Sequence, residues 1–275
     1  MKKHFFSILL FLIFFLGLSL MLYPTFADWW NSFHQSRAVA SYVEQVANMD
    51  DDKYDEIWTA AWDYNRSLLD RPNNFLLSEE QQINYKALLD IGDNGIMGYV
   101  EIPKIDVLLP VYHGTDEAIL QVAIGHLDWT SLPVGGESSH CVVSGHRGLP
   151  SARLFTDLDK LVVGDTFLLR VLDEVLTYEV DQIRIVEPHN TENLLIEPGE
   201  DLCTLVTCTP YGINTHRMLV RGHRVETEVE RAVRRVTADA IQIEPIIVAP
   251  FVAAPMLLVL LLMLLLPKPK KRKEI

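Results

Sequence analysis

Hydrophobic positions change their spacing several times along this chain. From Phe5 to Tyr23, FFSILLFLIFFLGLSLMLY, 19 residues carry no charge, and from Ile246 to Leu266, IIVAPFVAAPMLLVLLLMLLL, 21 carry none. At a rise of about 1.5 Å per residue, each run is long enough to cross a hydrocarbon layer about 30 Å thick. Pro250 and Pro255 would kink the second helix without removing the span. Between the runs the pattern is first helical: Trp58, Ala61, Trp62, Asn65 and Leu69 fall on one face, and neither Gly nor Pro occurs from Ser36 to Leu69. Two helices with an interruption near Met49 to Asp52 are expected. DRPNNF, Asp70 to Phe75, ends that pattern, because Pro72 disfavours helix at Arg71 and asparagines favour turns.

From Gly95 the apolar runs shorten to strand length and the breaks carry Gly, Pro, Asp or Asn: IMGYVEIP, DVLLPVYHG, SHCVVSGH, TFLLRVL, LTYEVDQIRIV, LCTLVTC and HRMLVRGHRV. Seven or eight such runs predict a mainly β fold, a closed or nearly closed barrel, with short helices at about Asp116 to Ala123 and Ala152 to Leu161. Glu226 to Gln242 reads as a helix leading into the second apolar run. The expected organisation is a cytoplasmic tip and anchor over 1–27, a helical segment over 28–95, the barrel over 96–226, a juxtamembrane helix over 227–245, a transmembrane helix over 246–266 and a basic tail over 267–275.

Charge fixes the expected topology. Lys2 and Lys3 precede the first run, and five basic residues lie between Lys268 and Lys273. Basic flanks stay on the cytoplasmic side, so both termini are expected inside and the segment between the spans outside. The first run is longer than the 7 to 15 apolar residues of a signal peptide, which favours an uncleaved anchor over a cleaved leader. Setting aside the seven terminal basic residues and Glu274, 17 Lys and Arg stand against 36 Asp and Glu, a net charge of −19. Nucleic acid and anionic lipid are thereby poor partners for this segment, since a polyanion needs a basic footprint.

Three cysteines, Cys141, Cys203 and Cys208, are too few for a disulfide-stapled exported domain, and the odd count leaves at least one free thiol. They form no metal-binding spacing with each other or with the histidines. His113 and His126 are read as turn-shaping residues that hydrogen-bond the backbone, and His140, His189, His216 and His223 as surface or structural ones.

A thiol nucleophile needs a proton acceptor or a cationic field, because at a pKa of about 8.5 only a few per cent is thiolate at neutral pH. In CVVSGHRGLP an apolar strand ends in a tight turn carrying His146; in TLVTCTPYGINTHR another ends at Cys208, and Arg217 begins the next strand nine residues later. If these strands are neighbours, His146, Cys208 and Arg217 meet at one edge of the barrel. If the strands of Cys141 and Cys203 pair in register, those two become neighbours on the face away from Cys208, as free thiols or as a disulfide.

TLVTCTPYGINTHRMLVRG, together with GHLDWTSLPVGG, SGHRGLPSARLFTDLDKLVVGD and IPKIDVLLPVYHGT, resembles the sortases, and within them the pilin-assembling class C of Gram-positive bacteria; the likeness covers roughly Gly98 to Arg224. The resemblance implies an eight-stranded sortase-type β-barrel and a cysteine transpeptidase without a cofactor. It assigns the nucleophile to Cys208, the acid and base to His146 and the oxyanion or substrate clamp to Arg217, helped by backbone N–H groups near Thr207. It implies cleavage of an LPXTG-like sorting signal between Thr and Gly, with pilin subunits bearing such signals and acceptor lysines as partners. Class C enzymes also carry a lid with consecutive Asp, Pro and aromatic residues. Here Asp70, Pro72 and Phe75 are not consecutive, so DRPNNF departs from that pattern.

Overall fold

The computed structural model describes residues 2–70 and 76–227. The chain divides into two compact units after Leu20, and each is described by itself. In the first, helix α1 (Lys2–Ala47) begins, and its apolar side chains such as Phe6, Leu12 and Leu16 are exposed. Among the described residues α1 is the one helix long and apolar enough to cross a membrane. The second apolar run, the basic tail and nearly all of the expected juxtamembrane helix lie outside the described residues, as does Phe75.

In the second unit α1 continues to Ala47 and buries Val39 and Tyr42. The Tyr42 hydroxyl donates to Met97 O at 3.2 Å and accepts from Leu172 N–H at 2.7 Å, so one ring ties the helix to a strand and to the turn at Leu172. The interruption expected near Met49 is a true break: Asp50 caps helix α2 (Asp51–Leu69) by accepting from Lys53 N–H at 2.8 Å. Asn65 docks α2, its amide accepting from Leu132 N–H at 2.7 Å and donating to Leu132 O at 3.1 Å. A third helix, α3 (Glu79–Ala87), was not expected, although Ser78 and Gln81 form a complete capping box that the sequence displays.

The remaining elements form the barrel: β1 (Ile96–Ile102), β2 (Val107–His113), helix α4 (Glu117–Leu120), β3 (Ile124–His126), β4 (Ser139–Ser144), β5 (Thr166–Val171), β6 (Glu174–Val186), β7 (Asp201–Thr209) and β8 (His216–Val225). The sheet closes in the order β1-β2-β3-β4-β7-β8-β6-β5. The β2–β3 and β4–β7 pairs are parallel and the others antiparallel. Seven strands follow the runs read from the sequence. The eighth, β3, has three residues, too few for an alternating pattern to show. The helix expected over Ala152 to Leu161 is reduced to a 3-10 turn, Leu158–Lys160. Leu154 has a φ of 39°, and Phe155 N–H turns back to His146 O at 3.1 Å instead of reaching a carbonyl four residues earlier. The helix expected at Asp116 is the shorter α4.

Alternation along β7 and β8 separates two faces. Cys203, Leu205, Met218 and Val220 enter the main core with Phe155, Phe167 and Tyr178, where each large apolar side chain contributes about 1.5–3 kcal/mol. Val206 and Leu219 point the other way and join Val142 and Leu194 in a second cluster, flanked by Leu127, Trp129 and Val186. Strand β7 is therefore covered on both sides, which is why LCTLVTC reads as a continuous apolar run rather than an alternating one.

Candidate active site

Cys208 is the next outward position of β7 beyond Val206, and its register partner on β8 is Arg217. Side chains paired in this way share a face with Cβ atoms about 5 Å apart. The nine-residue separation is thus the length of a hairpin whose loop spans 210–215; its Thr209–Pro210 bond is cis. The Arg217 Nη1 donates to Asn214 O at 3.3 Å and His216 O at 3.1 Å. Its other guanidinium nitrogens make no hydrogen bond among the described residues, so donors remain for an incoming oxygen. Arginine keeps this charge at any ordinary pH.

His146 arrives from the opposite side of Cys208. The parallel β4–β7 ladder pairs Ser144 with Val206, and Gly145 N–H extends it by donating to Val206 O at 3.0 Å. His146 lies two residues past Ser144, as Cys208 lies two past Val206, so both occupy the outer face. A Cβ on Gly145 would come within 2.7 Å of Ile124 and 2.8 Å of Phe155, so the strand end approaches the core too closely for a side chain. Thr207 is buried and faces inward, its hydroxyl donating to Gly145 O at 2.8 Å. Its side chain therefore holds the strand end that carries His146, and any oxyanion support at this position falls to backbone N–H groups. The His146 Nε2 is 3.8 Å from a carboxylate oxygen of Glu117, a mostly exposed residue at the start of α4.

The turn after His146 packs against the β7–β8 loop. The Arg147 guanidinium lies 5.9 Å from the Tyr211 ring centroid and pairs with Asp159. Gly148 has a φ of 77°, and a Cβ there would come within 2.8 Å of the Tyr211 ring. The two loops bearing the three polar groups are thereby fitted to each other. Sequence reading missed Arg147 and Tyr211, although both lie inside the motifs that carry the resemblance.

The other predicted residues lie elsewhere. Asp70 is the exposed C-cap of α2, and no hydrogen bond or ion pair joins it to Cys208, His146 or Arg217 among the described residues. Cys141 pairs in register with Cys203 inside the barrel; both thiols are free, and burial pushes the Cys203 thiol well above its ordinary pKa. Cys208 is the one thiol of the three that is not fully buried. His113 faces the carbonyls of Gly95 and Leu88, and His126 sits between the Tyr85 hydroxyl at 2.9 Å and Ser131 O at 2.8 Å. His140 Nδ1 meets Leu195 O and its Nε2 meets the Thr204 hydroxyl, both at 2.8 Å. These histidines brace loops, and no group of three or more His, Cys, Asp or Glu that could hold a metal occurs among the described residues.

What the arrangement offers is a partly exposed thiol between an imidazole and a guanidinium, on the face of β7 and β8 where the preceding outward residues, Val206 and Leu219, are buried against Val142 and Leu194. Residues 100–225 match the family model of the sortase domain. The structure is similar to that of sortase C1 from Streptococcus agalactiae, with 50% identity over 70% of this chain and 100% of that one, and a TM-score of 0.68. It is also similar to a sortase C from Streptococcus pneumoniae, with 46% identity over 70% of this chain and 97% of that one, and a TM-score of 0.64. Among curated relatives, Sortase D of Bacillus subtilis is 31% identical over 131 residues, 46% of this chain and 63% of that protein. The match thus spans less than two thirds of that relative's length.

Proposed function

Because the chain belongs to the sortase family, with class C sortases as its structural neighbours, we propose that it is a membrane-anchored cysteine transpeptidase that joins pilin subunits. The observation that carries this reading is the direct pairing of Cys208 with Arg217 across β7 and β8, with His146 on the same face. In the proposed reaction the Cys208 sulfur attacks the carbonyl carbon of Thr in an LPXTG-like signal. The C–N bond to Gly breaks, and His146 gives the leaving amine its proton, leaving a thioacyl enzyme. The lysine amine of a second pilin then attacks that carbonyl, His146 takes up its proton, and the thiolate departs. Arg217 offers its remaining donors to the oxygen that becomes negative in each tetrahedral intermediate, where one well-aimed donor is worth about 10²–10³ in rate. The acidic segment between the two apolar runs suits a lysine-bearing acceptor.

The same reading makes the chain a two-pass protein of the cell membrane, with both termini cytoplasmic and residues 28–244 outside. It takes DRPNNF as a lid in which Asp70 and Phe75 restrict access to Cys208. Changing both to alanine should speed labelling of Cys208 by a thiol reagent, and an unchanged rate would remove that segment from the mechanism.

The test supplies the full chain, in detergent, with an LPXTG peptide and two acceptors, a pilin carrying its lysine and a short wall-type peptide amine. Transfer to the pilin lysine is expected. Transfer to the wall-type amine alone would make this a sortase that attaches proteins to the cell wall, and no transfer with no acyl enzyme would leave a non-catalytic pilus scaffold.

A further inference from the structure

Between the first apolar run and the barrel, α1 carries two stripes on opposite sides. Residues two apart on a helix are separated by about 200°. Asp28, Asn31, Gln35, Val39 and Tyr42 form the stripe that faces the barrel. Asp28 accepts from Arg153 N–H at 2.7 Å, Asn31 donates to Ser151 O at 2.8 Å and Gln35 donates to Val122 O at 2.6 Å. The other stripe is Tyr23, Phe26, Trp30, Phe33 and Arg37, spaced three and four residues apart. Its four aromatic rings are 47–59% exposed, although they belong to the same compact unit as the barrel.

We propose that this aromatic stripe is a seat on the lipid bilayer, lying in the headgroup layer and holding the barrel close to the membrane. Several observations select the bilayer as the occupant. The stripe begins at Tyr23, where the membrane-length apolar run ends, so it is continuous with the anchor. Its composition is that of an interfacial belt: aromatic rings, two of them with polar atoms, then a cation, with the Arg37 guanidinium 5.7 Å from the Phe33 ring centroid. The groups on the barrel side of the helix are the ones that grip residues 151 and 153, which follow His146 by five and seven positions. The chain that bears the imidazole is therefore fastened to the membrane-proximal part of α1. The surrounding domain is acidic, so the seat works through ring insertion rather than attraction to anionic lipid.

This inference rests on the anchor reading, and the experiment separates the two. The full chain is placed in phosphatidylcholine vesicles with brominated acyl chains, and tryptophan emission is compared with that of Trp30→Phe. In parallel, a donor dye on Cys208, the accessible thiol, reports energy transfer to an acceptor on the lipid headgroups. The expected results are co-flotation with vesicles, bromine quenching that falls in Trp30→Phe, and transfer from Cys208 that drops at least twofold in Phe26→Ser/Trp30→Ser/Phe33→Ser. Quenching insensitive to 0.5 M salt is also expected. Failure to float would defeat the anchor reading itself. Flotation with quenching unchanged in Trp30→Phe would overturn the seat alone, and so would unchanged transfer in the triple variant. Transfer between dyes on two copies, without bromine quenching of Trp30, would assign the stripe to self-association instead. Far-UV dichroism of the triple variant guards against misfolding, and the wild-type quenching decides the matter even if that variant fails.

Discussion

Thr207 and Arg217 differ in how far each was legible at the scale of single residues. The Cys208–Arg217 pair was expected from the sequence on condition that the two apolar strands are neighbours, and the ladder supplies both that pairing and the register that sets the two residues opposite each other. The inward direction of Thr207 follows from the same alternation, but its partner, Gly145 O, belongs to a strand some sixty residues away. A parallel ladder of that separation leaves no local trace. Thr207→Val tests the link, since it keeps the shape and removes the hydroxyl that pairs a buried carbonyl. Thermal or denaturant unfolding should show a loss of about 1–3 kcal/mol. Acylation should slow as well, because the strand end bearing His146 is released.

At the scale of elements, composition and local rules explain what was foreseen and what was missed. Seven strands carry apolar runs long enough to read; β3, with three residues, does not, and its place between β2 and β4 comes only from pairing on both sides. The helix expected over Ala152 to Leu161 failed because a left-handed Leu154 and the return of Phe155 to His146 outweigh local propensity. That exchange serves the site, since it ties the His146 turn to a core phenylalanine. Helix α2 is held by a side chain whose amide satisfies both backbone groups of Leu132. Asn65→Ala should cost about 1–3 kcal/mol, with hydrogen exchange accelerating first in α2. Uniform exchange across the barrel instead would mean that α2 and the barrel unfold as one.

At the scale of the whole molecule, the topology brings β4 and β7 together and so joins motifs that lie far apart in the chain. The sequence pattern names His146, Cys208 and Arg217 as candidates, and closure of the barrel supplies their common face. The same closure buries His140 as a neutral ring, Nδ1 donating to Leu195 O and Nε2 accepting from the Thr204 hydroxyl. Burial lowers its pKa below the ordinary value of 6.5. The unfolded chain therefore binds a proton that the folded chain refuses, and stability falls as pH drops below about 6.5 until the folded pKa is reached. The midpoint of thermal unfolding should decline from pH 7.5 to pH 5, and more shallowly in His140→Gln; equal slopes would contradict a neutral buried ring. The central claim, that Cys208 is the nucleophile of a transpeptidase, is met most directly by intact-mass measurement of the full chain after brief exposure to an LPXTG peptide. The account predicts an added mass equal to the peptide acyl group up to Thr, released by hydroxylamine and absent from Cys208→Ala. An acyl adduct that persists in Cys208→Ala, or none on the wild type while peptide is cleaved, would contradict it.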